Sequence, residues 1–348
     1  MSRIAIVGGG IAGLALAAAL DPTRHEVVLV EEQPGRAGAG AALALWPSAV
    51  RALARIGVVL PTAQEPGTPD DRLTTAALFD LDSGQRLLTA PHRIASLALV
   101  ARPTLMAALE AAVPSSVRRV HEVVTDPATL DADLVVGADG VRSRVRALVH
   151  PPAADRRETP WLALRGVTDQ PPPAGSVGEY WGAGRLAGIT PTRTGTYWFT
   201  THVSELGPEP LDVAQALAQA RDRFAGAAAP VRELLAGAGP HTLATRLWLT
   251  PAMPRYVRGR YAVIGDAAHA TTPNLGRGAV DAVLDAVSLA GALDRGKGLR
   301  SWQLRRLPAT QTTRALAPVL MRLALSGTAT GPRNRLLLAA GQVTGRPG

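Results

Sequence analysis

Two glycine-rich stretches at opposite ends of the chain carry the residues whose types and spacing could do chemistry. Near the start, Gly8-Gly9-Gly10-Ile11-Ala12-Gly13 follows an apolar run at 4–7 and opens a small-residue helix at 11–20. Gly8, Gly10 and Gly13 have the G-x-G-x-x-G spacing. In that pattern the first glycine permits a tight turn, the second lets the backbone approach a pyrophosphate, and the third allows close helix–strand packing. The free N–H groups and positive dipole end of the helix would face the phosphate. Glu31 ends a second apolar run at 27–30 and is placed to accept from a ribose hydroxyl. These residues predict a dinucleotide site without separating NAD from FAD. Near the other end, Gly265-Asp266-Ala267-Ala268-His269-Ala270-Thr271-Thr272-Pro273-Asn274-Leu275-Gly276-Arg277-Gly278 follows the apolar run 261–264. It reads as a strand, an Asp-ended turn, a loop and a helix start.

The elements that must position these residues begin as a strand–helix–strand unit of a parallel sheet, buried on both faces. Pro22 lies just past the first helix, where it cannot continue it. A helix at 48–56 ends at Gly57, and 74–80 with 86–89 form a hairpin around Asp82-Ser83-Gly84. Strand and helix return at 99–113, and the apolar strand 134–136 turns at Gly137-Ala138-Asp139-Gly140. Pro151-Pro152 marks a boundary. The next stretch is richer in β formers and aromatics, with its best strand at 197–201 and helices at 211–225 and 231–236. Helices fill 278–293 and 299–325, and the last dozen or so residues are expected to be loosely held. The fold class expected is α/β: a Rossmann-like dinucleotide domain, an interleaved antiparallel β-sheet substrate domain, and C-terminal helices. The boundaries expected are 1–67, 92–158 and 250–348 for the first, and 68–91 with 159–249 for the second.

Composition removes several function classes. The net charge of +9 invites a nucleic-acid partner, but Lys297 is the only lysine and the arginines are scattered rather than run together. No nucleic-acid role is expected. The chain has no cysteine, which excludes disulfides, thiolate metal sites and a cysteine nucleophile. No metal site is expected. The stretch 4–20 is broken by glycines and reads as strand–turn–helix rather than as a secretory leader. No apolar run reaches membrane-spanning length, so a cytoplasmic protein, monomeric or homodimeric, is expected.

Three ordered motifs give the chain a family resemblance. They are Gly8 to Gly13; Asp133-Leu134-Val135-Val136-Gly137-Ala138-Asp139-Gly140 with Arg142 and Ser143; and Gly265-Asp266-Ala267-Ala268-His269 with Pro273 and Gly276-Arg277-Gly278. Arg102-Pro103-Thr104-Leu105 and a Trp-x-x-Arg-Arg-like stretch at 302–306 add to the match. The chain resembles the FAD-dependent aromatic hydroxylases, single-component flavoprotein monooxygenases with a para-hydroxybenzoate-hydroxylase-like fold. The resemblance implies FAD as cofactor, NADH or NADPH as reductant, and oxygen transfer from O2 to a small aromatic or other electron-rich substrate through a flavin C4a-hydroperoxide. With no second G-x-G-x-x-G in the chain, the reductant would have no separate nicotinamide domain.

The same resemblance implies residue roles. Asp266 would accept from a ribityl hydroxyl, and the N–H groups around Gly276 and Gly278 would face the flavin N1/C2 edge, where a helix dipole favours the reduced anion. Pro273 would lie near the oxygen-reactive face. Arg36 and Arg102 would hold phosphate and ribose, and Asp139 with Arg142 would serve both FAD and NAD(P)H. No side chain is assigned as a catalytic acid or base, since the flavin itself is the reactive centre. His269 reads as a structural hydrogen bonder rather than a proton shuttle, and His202 as a surface histidine rather than a base toward a phenol. Arg277 either reinforces the charge of reduced flavin or points to solvent. It departs from a frequent Gln, while Val280 and Leu284 depart from frequent Asn and Glu. Of the aromatics Trp161, Tyr180, Trp181, Tyr197, Trp198 and Trp248, beside Arg165-Gly166, most are expected in core and some above the flavin. Arg314, Arg322, Arg333 and Arg335 read as a solvated helix face. A flavin-dependent halogenase is a second reading, opposed by the lack of a Trp-x-Trp-x-Ile-Pro segment and of a suitably placed lysine. A flavin-binding protein without redox turnover is the third.

Overall fold

The computed structural model describes residues 1–33, 42–60, 77–89, 97–192, 195–207, 209–328 and 330–344. Arg36 and the part of the first hairpin strand before residue 77 lie outside the described residues.

The first sheet holds β1 (Ser2–Val7), β2 (His25–Val30), β7 (Arg118–Val120), β8 (Leu134–Gly137), β14 (Val257–Arg258) and β15 (Tyr261–Val263), in the order β14-β15-β8-β1-β2-β7. Its strands run parallel except β14, which pairs antiparallel with β15. Ile4 stands opposite Val27 on one side and Leu134 on the other. Ile4, Ile6, Val135, Val136 and Val263 are all buried, as continuous apolar strands of a two-sided sheet must be. One face is covered by α1 (Ile11–Ala19) and α8 (Gly278–Asp294). Ala12, Ala15, Ala282 and Ala286 are buried there, and small side chains let these helices lie close to each other and to the sheet. Around them stand α2 (Pro47–Arg55), α3 (Arg102–Ala112), α4 (Val145–Val149) and the short α7 (Asp266–His269).

A two-stranded ribbon of β3 (Ala42–Leu45) and β6 (Ala98–Ala101) leads into α2 and α3. The second large sheet contains β4 (Ala77–Asp80), β5 (Arg86–Thr89), β9 (Arg157–Thr168), β10 (Gly178–Gly182), β11 (Arg185–Thr192), β12 (Gly195–Val203) and β13 (Leu243–Leu249), in the order β13-β9-β12-β11-β10-β4-β5. It is antiparallel except where β4 joins β10 in parallel. Alternation along the strands gives it two unlike faces. Leu162, Leu164, Tyr180, Ile189 and Trp198 pack beneath α5 (Val213–Arg223) and α6 (Ala229–Gly237), where Phe79 stacks on Tyr180 with ring centroids 4.7 Å apart. On the opposite face Trp161, Ala163, Leu186 and Leu247 meet Met321, Ala324 and Leu325 at the end of α9 (Leu299–Ala324). Each fully buried Leu or Phe contributes about 1.5–3 kcal/mol, which is what welds the long helix to the sheet.

Three expectations change. Most of the last dozen residues, expected to be loosely held, are instead helical, in α10 (Thr330–Thr344), and 345–348 lie outside the described residues. Arg333 is not on a solvated face: it is buried, donates to the Leu323 and Ala324 carbonyls, and lies over the Trp181 ring. It thereby satisfies carbonyls that the end of α9 leaves open. His202 is fully buried, because its position on β12 faces α5, where it bonds to Gln219 at 3.0 Å. No helix among the described residues is long and apolar enough to cross a membrane.

Candidate active site

The N-terminal turn is built as the glycine spacing requires. Gly8 has φ +103°, and a Cβ there would sit 2.5 Å from the Ala138 carbonyl oxygen. A Cβ on Gly13 would overlap the Gly8 carbonyl. A Cβ on Gly10 meets nothing within 4 Å, so the space over the start of α1 is open. Gly10 caps α1 without a side-chain bond, and the first intrahelical bond runs from Leu14 N–H to Gly10 O. Three backbone donors are therefore left facing that space. Glu31 stands beside the turn and its carboxylate accepts from the N–H of Gly9 and, at 2.8 Å, from that of Gln33. It fixes the loop as well as offering remaining lone pairs outward.

The second motif abuts the first. Asp139 follows β8, and its Oδ2 accepts from Arg144 N–H at 2.8 Å and Val145 N–H at 3.3 Å. Its Oδ1 is buried and has no partner among the described residues. Burial pushes the Asp139 pKa up, against the lowering effect of bonds from Ser143 and these N–H groups. Arg146, fully buried, donates to the carbonyls of Ala153, Ala267, Val141 and Ala154. Through Ala267 it pins this segment to α7.

The late loop begins at Gly265, φ +60°, after which the exposed Asp266 opens α7, its carboxylate making no hydrogen bond among the described residues. Pro273 is exposed, Gly276 is left-handed at φ +58°, and α8 starts at Gly278. A Cβ built on Gly276 would lie 3.7 Å from the Ala44 Cβ and 3.9 Å from Trp46 Nε1, a buried donor without a partner among the described residues. The loop is held from behind by α9: Thr271 Oγ1 donates to Arg314 O, and Asn274 Nδ2 to Ala317 O.

Beneath the loop lies a buried charge network that sequence reading missed. Asp285 Oδ2 accepts from His269 Nε2 at 2.6 Å and from Gly265 N–H at 3.0 Å, while Oδ1 accepts from Arg306 Nε at 2.7 Å. Asp281 Oδ1 accepts from Arg306 at 3.2 Å and from Arg277 Nη2 at 2.6 Å. Burial works to lower the His269 pKa, but Asp285 beside it prevails and the net shift is upward. Burial likewise opposes ionisation of Asp285, yet His269 and Arg306 hold its pKa below the usual range. His269 is thus a structural hydrogen bonder, as expected. Arg277 does not simply point to solvent: it pairs with Asp281 and lies 5.9 Å from the Trp46 ring. Val280 is fully buried and Leu284 packs on the same core, so both departures serve packing. The missed signal was Asp281 and Asp285 four apart in the largely apolar first half of α8, followed by Arg306.

Arg102 is the first residue of α3, at the end of the ribbon, and makes no hydrogen bond among the described residues. The structure brings Gly8, Gly10, Gly13 and Glu31 together, with Asp139 next to Gly8 and Asp266 following β15. Arg142 instead pairs with Glu209 at 2.9 Å.

An open glycine turn, two free helix starts and two orphaned buried polar atoms, Asp139 Oδ1 and Trp46 Nε1, fit an extended dinucleotide carrying a ring system. The comparisons with known proteins agree. A family described as FAD binding domain matches residues 1–296. Aurachin C monooxygenase/isomerase of Stigmatella aurantiaca is 30% identical over 328 residues, 83% of this chain and 80% of that protein. The 2-heptyl-3-hydroxy-4(1H)-quinolone synthase of Pseudomonas aeruginosa is 34% identical over 314 residues, 82% of this chain and 79% of its own. The fold matches Klebsiella pneumoniae HpxO complexed with FAD and uric acid, with TM-score 0.81, 24% identity, and coverage of 97% and 93%. The chain belongs to the FAD-dependent aromatic hydroxylase family, as its motifs implied, and is an FAD-dependent monooxygenase.

Proposed function

We propose that the protein consumes NAD(P)H and O2 to insert one oxygen atom into a small aromatic or other electron-rich substrate held between the late loop and the second sheet. The observation that carries this reading is the late loop itself: a left-handed Gly276 against Trp46, leading into the uncapped start of α8. Bound FAD would supply the chemistry, acceptance of a hydride and activation of O2. The chain's own residues bind, orient and keep water out. Gly8, Gly10 and Gly13 shape the turn that receives the pyrophosphate, with Glu31 toward the adenosine ribose and Arg36 and Arg102 as cationic holders. Asp139 and Asp266 present carboxylate oxygens to cofactor hydroxyls. The N–H groups around Gly276 and Gly278, at the positive end of α8, favour a negative charge on the cofactor ring. Pro273 sets the wall of the oxygen-reactive side.

Segments 68–91 and 159–249 then form the substrate domain, and 1–67, 92–158 and 250–348 the cofactor domain. We assign the enzyme to the cytoplasm, as a monomer or homodimer. The test is a panel of small aromatics screened for acceleration of NAD(P)H oxidation, with oxygenated product and hydrogen peroxide measured separately. A substrate should raise both turnover and product. No acceleration by any aromatic, with FAD bound, would sink the monooxygenase reading and favour a flavin-binding protein without turnover.

A further inference from the structure

The acidic side chains of this protein stop at Asp294. From Arg295 onward the sequence has nine arginines, Lys297 and no Asp or Glu, while the whole chain has 37 basic and 28 acidic side chains. Residues 1–294 are therefore close to neutral, and the excess of +9 belongs to α9, α10 and the segments beside them. The family match ends at residue 296, so most of this basic stretch lies beyond it. Some of the charge is matched inside the fold: Arg306 pairs with Asp281 and Asp285, and Arg333 is buried over the Trp181 ring. Arg300, Arg305, Arg322 and Arg335 are exposed, and none of them makes a side-chain hydrogen bond or ion pair among the described residues.

The same helices carry exposed apolar surface. Six of the eleven large apolar side chains exposed among the described residues lie on α9 and α10. Four of them, Leu316, Val319, Leu320 and Leu323, follow the i, i+3, i+4, i+7 spacing of one helix face and are between 39% and 53% exposed. Met321 and Ala324 in the same turns already meet the second sheet, so the ridge is left over from the fold's own packing. Followed toward the N-terminus, that face runs through the exposed Thr312 and Ala309 to Arg305, and Arg322 flanks it. A single exposed leucine needs no explanation, but a contiguous apolar ridge bordered by unpaired cations marks a contact surface. Its charge narrows the occupant. A second copy docked through a twofold axis would set arginine against arginine, with no acid in the segment to answer. A nucleic acid would match the charge but leave the ridge against phosphate and water. An anionic phospholipid layer matches both, with phosphates for the guanidinium groups and acyl chains for the ridge.

We propose that α9 is a docking face by which the protein binds reversibly to an anionic phospholipid surface, with Leu316, Val319, Leu320 and Leu323 entering the interface and Arg305 and Arg322 meeting lipid phosphates. The docked protein lies on the layer, since no described helix is long and apolar enough to cross it. The test is co-sedimentation of the FAD-loaded full chain with vesicles of phosphatidylcholine, alone or with about 30% phosphatidylglycerol. Partitioning should rise at least about tenfold with the anionic lipid and fall back in about 0.5 M salt, which screens the charges. Leu316→Gln with Leu320→Gln, and separately Arg305→Gln with Arg322→Gln, keep good helix formers at exposed positions. Each pair should lower partitioning by about tenfold with FAD content unchanged, and either carries the test if the other does not fold. Equal binding to both kinds of vesicle, or partitioning that both pairs leave undiminished, overturns the proposal. So does binding to a DNA duplex as tight as to the vesicles and untouched by the leucine pair, which would make this a nucleic-acid face. A dimer in sedimentation velocity that the leucine pair dissolves, in a protein that ignores vesicles, overturns it in favour of a second copy.

Discussion

His269 donates its Nε2–H to Asp285 Oδ2 at 2.6 Å, and the same carboxylate receives the Gly265 N–H and the Arg306 guanidinium. One buried aspartate on α8 therefore fixes both ends of α7 and the turn that presents Asp266. Asp285→Ala would leave Arg306 and His269 without their anion and cost about 3–5 kcal/mol. Asp285→Asn, which still accepts hydrogen bonds, should cost less. Urea denaturation of the two variants checks this; a loss under about 1 kcal/mol for the alanine would show that the network is not holding the loop.

The two open-turn glycines separate folding from binding. Gly10→Ala adds a methyl group to empty space at an ordinary backbone angle, so the apoprotein should melt like the wild type. Its FAD affinity should fall by about tenfold or more, since that methyl occupies the proposed phosphate approach. Gly13→Ala drives a Cβ into the Gly8 carbonyl and should lower the melting temperature of the apoprotein as well. Equal FAD affinity in Gly10→Ala and wild type, by fluorescence titration, would remove the pyrophosphate from this turn.

Acid should destabilise the protein partly through His202. Burial lowers its folded pKa, outweighing the opposing bond to Gln219. Its unfolded pKa is about 6.5, so below that pH the unfolded chain takes up the proton first and stability falls, by at most about 1.4 kcal/mol per pH unit. The slope flattens below the folded pKa. His269, shifted upward, has the opposite sign: its contribution is whole below about pH 6.5 and fades as pH rises through its folded pKa. Melting temperatures from pH 7.5 to 5 should decline less steeply in His202→Gln; parallel curves would contradict the assignment.

Arg277 links the proposed ring site to the buried network. Arg277→Met should make the bound flavin harder to reduce, by the equivalent of about 0.3–1 kcal/mol, because a cation near the reduced ring is lost. Anaerobic titration against a reference dye measures the midpoint, and an unchanged or raised value would mean Asp281 already cancels the charge of Arg277.

The opening strand–turn–helix and the late loop were legible because glycines with special geometry announce themselves: Gly8 and Gly13 leave no room for a side chain, and Gly276 takes a left-handed turn that favours glycine. Only half of the β3–β6 ribbon was legible: a strand was expected from 99, but Ala42–Leu45 is too short and too uniform to show a period. His202 and Arg333 were misplaced for a related reason. Each is buried by an element distant from its own strand or helix turn, and polarity alone suggested solvent. Asp285 was hidden because an acid within a helix reads as surface until its partners on α7 and α9 are known. The motifs point to the cofactor region proposed here; the neighbours of Arg165 across the second sheet come from pairing between strands, which no local pattern reports.

The long helix α9 touches both halves of the proposed chamber. Ala317 and Arg314 brace the loop at Thr271 and Asn274, and Met321 and Ala324, a turn further on, rest against Trp161 and Leu186 of the second sheet. A single rod thus acts as a spacer bar between floor and ceiling. Any shift of α9 would therefore move the late loop and the second sheet together.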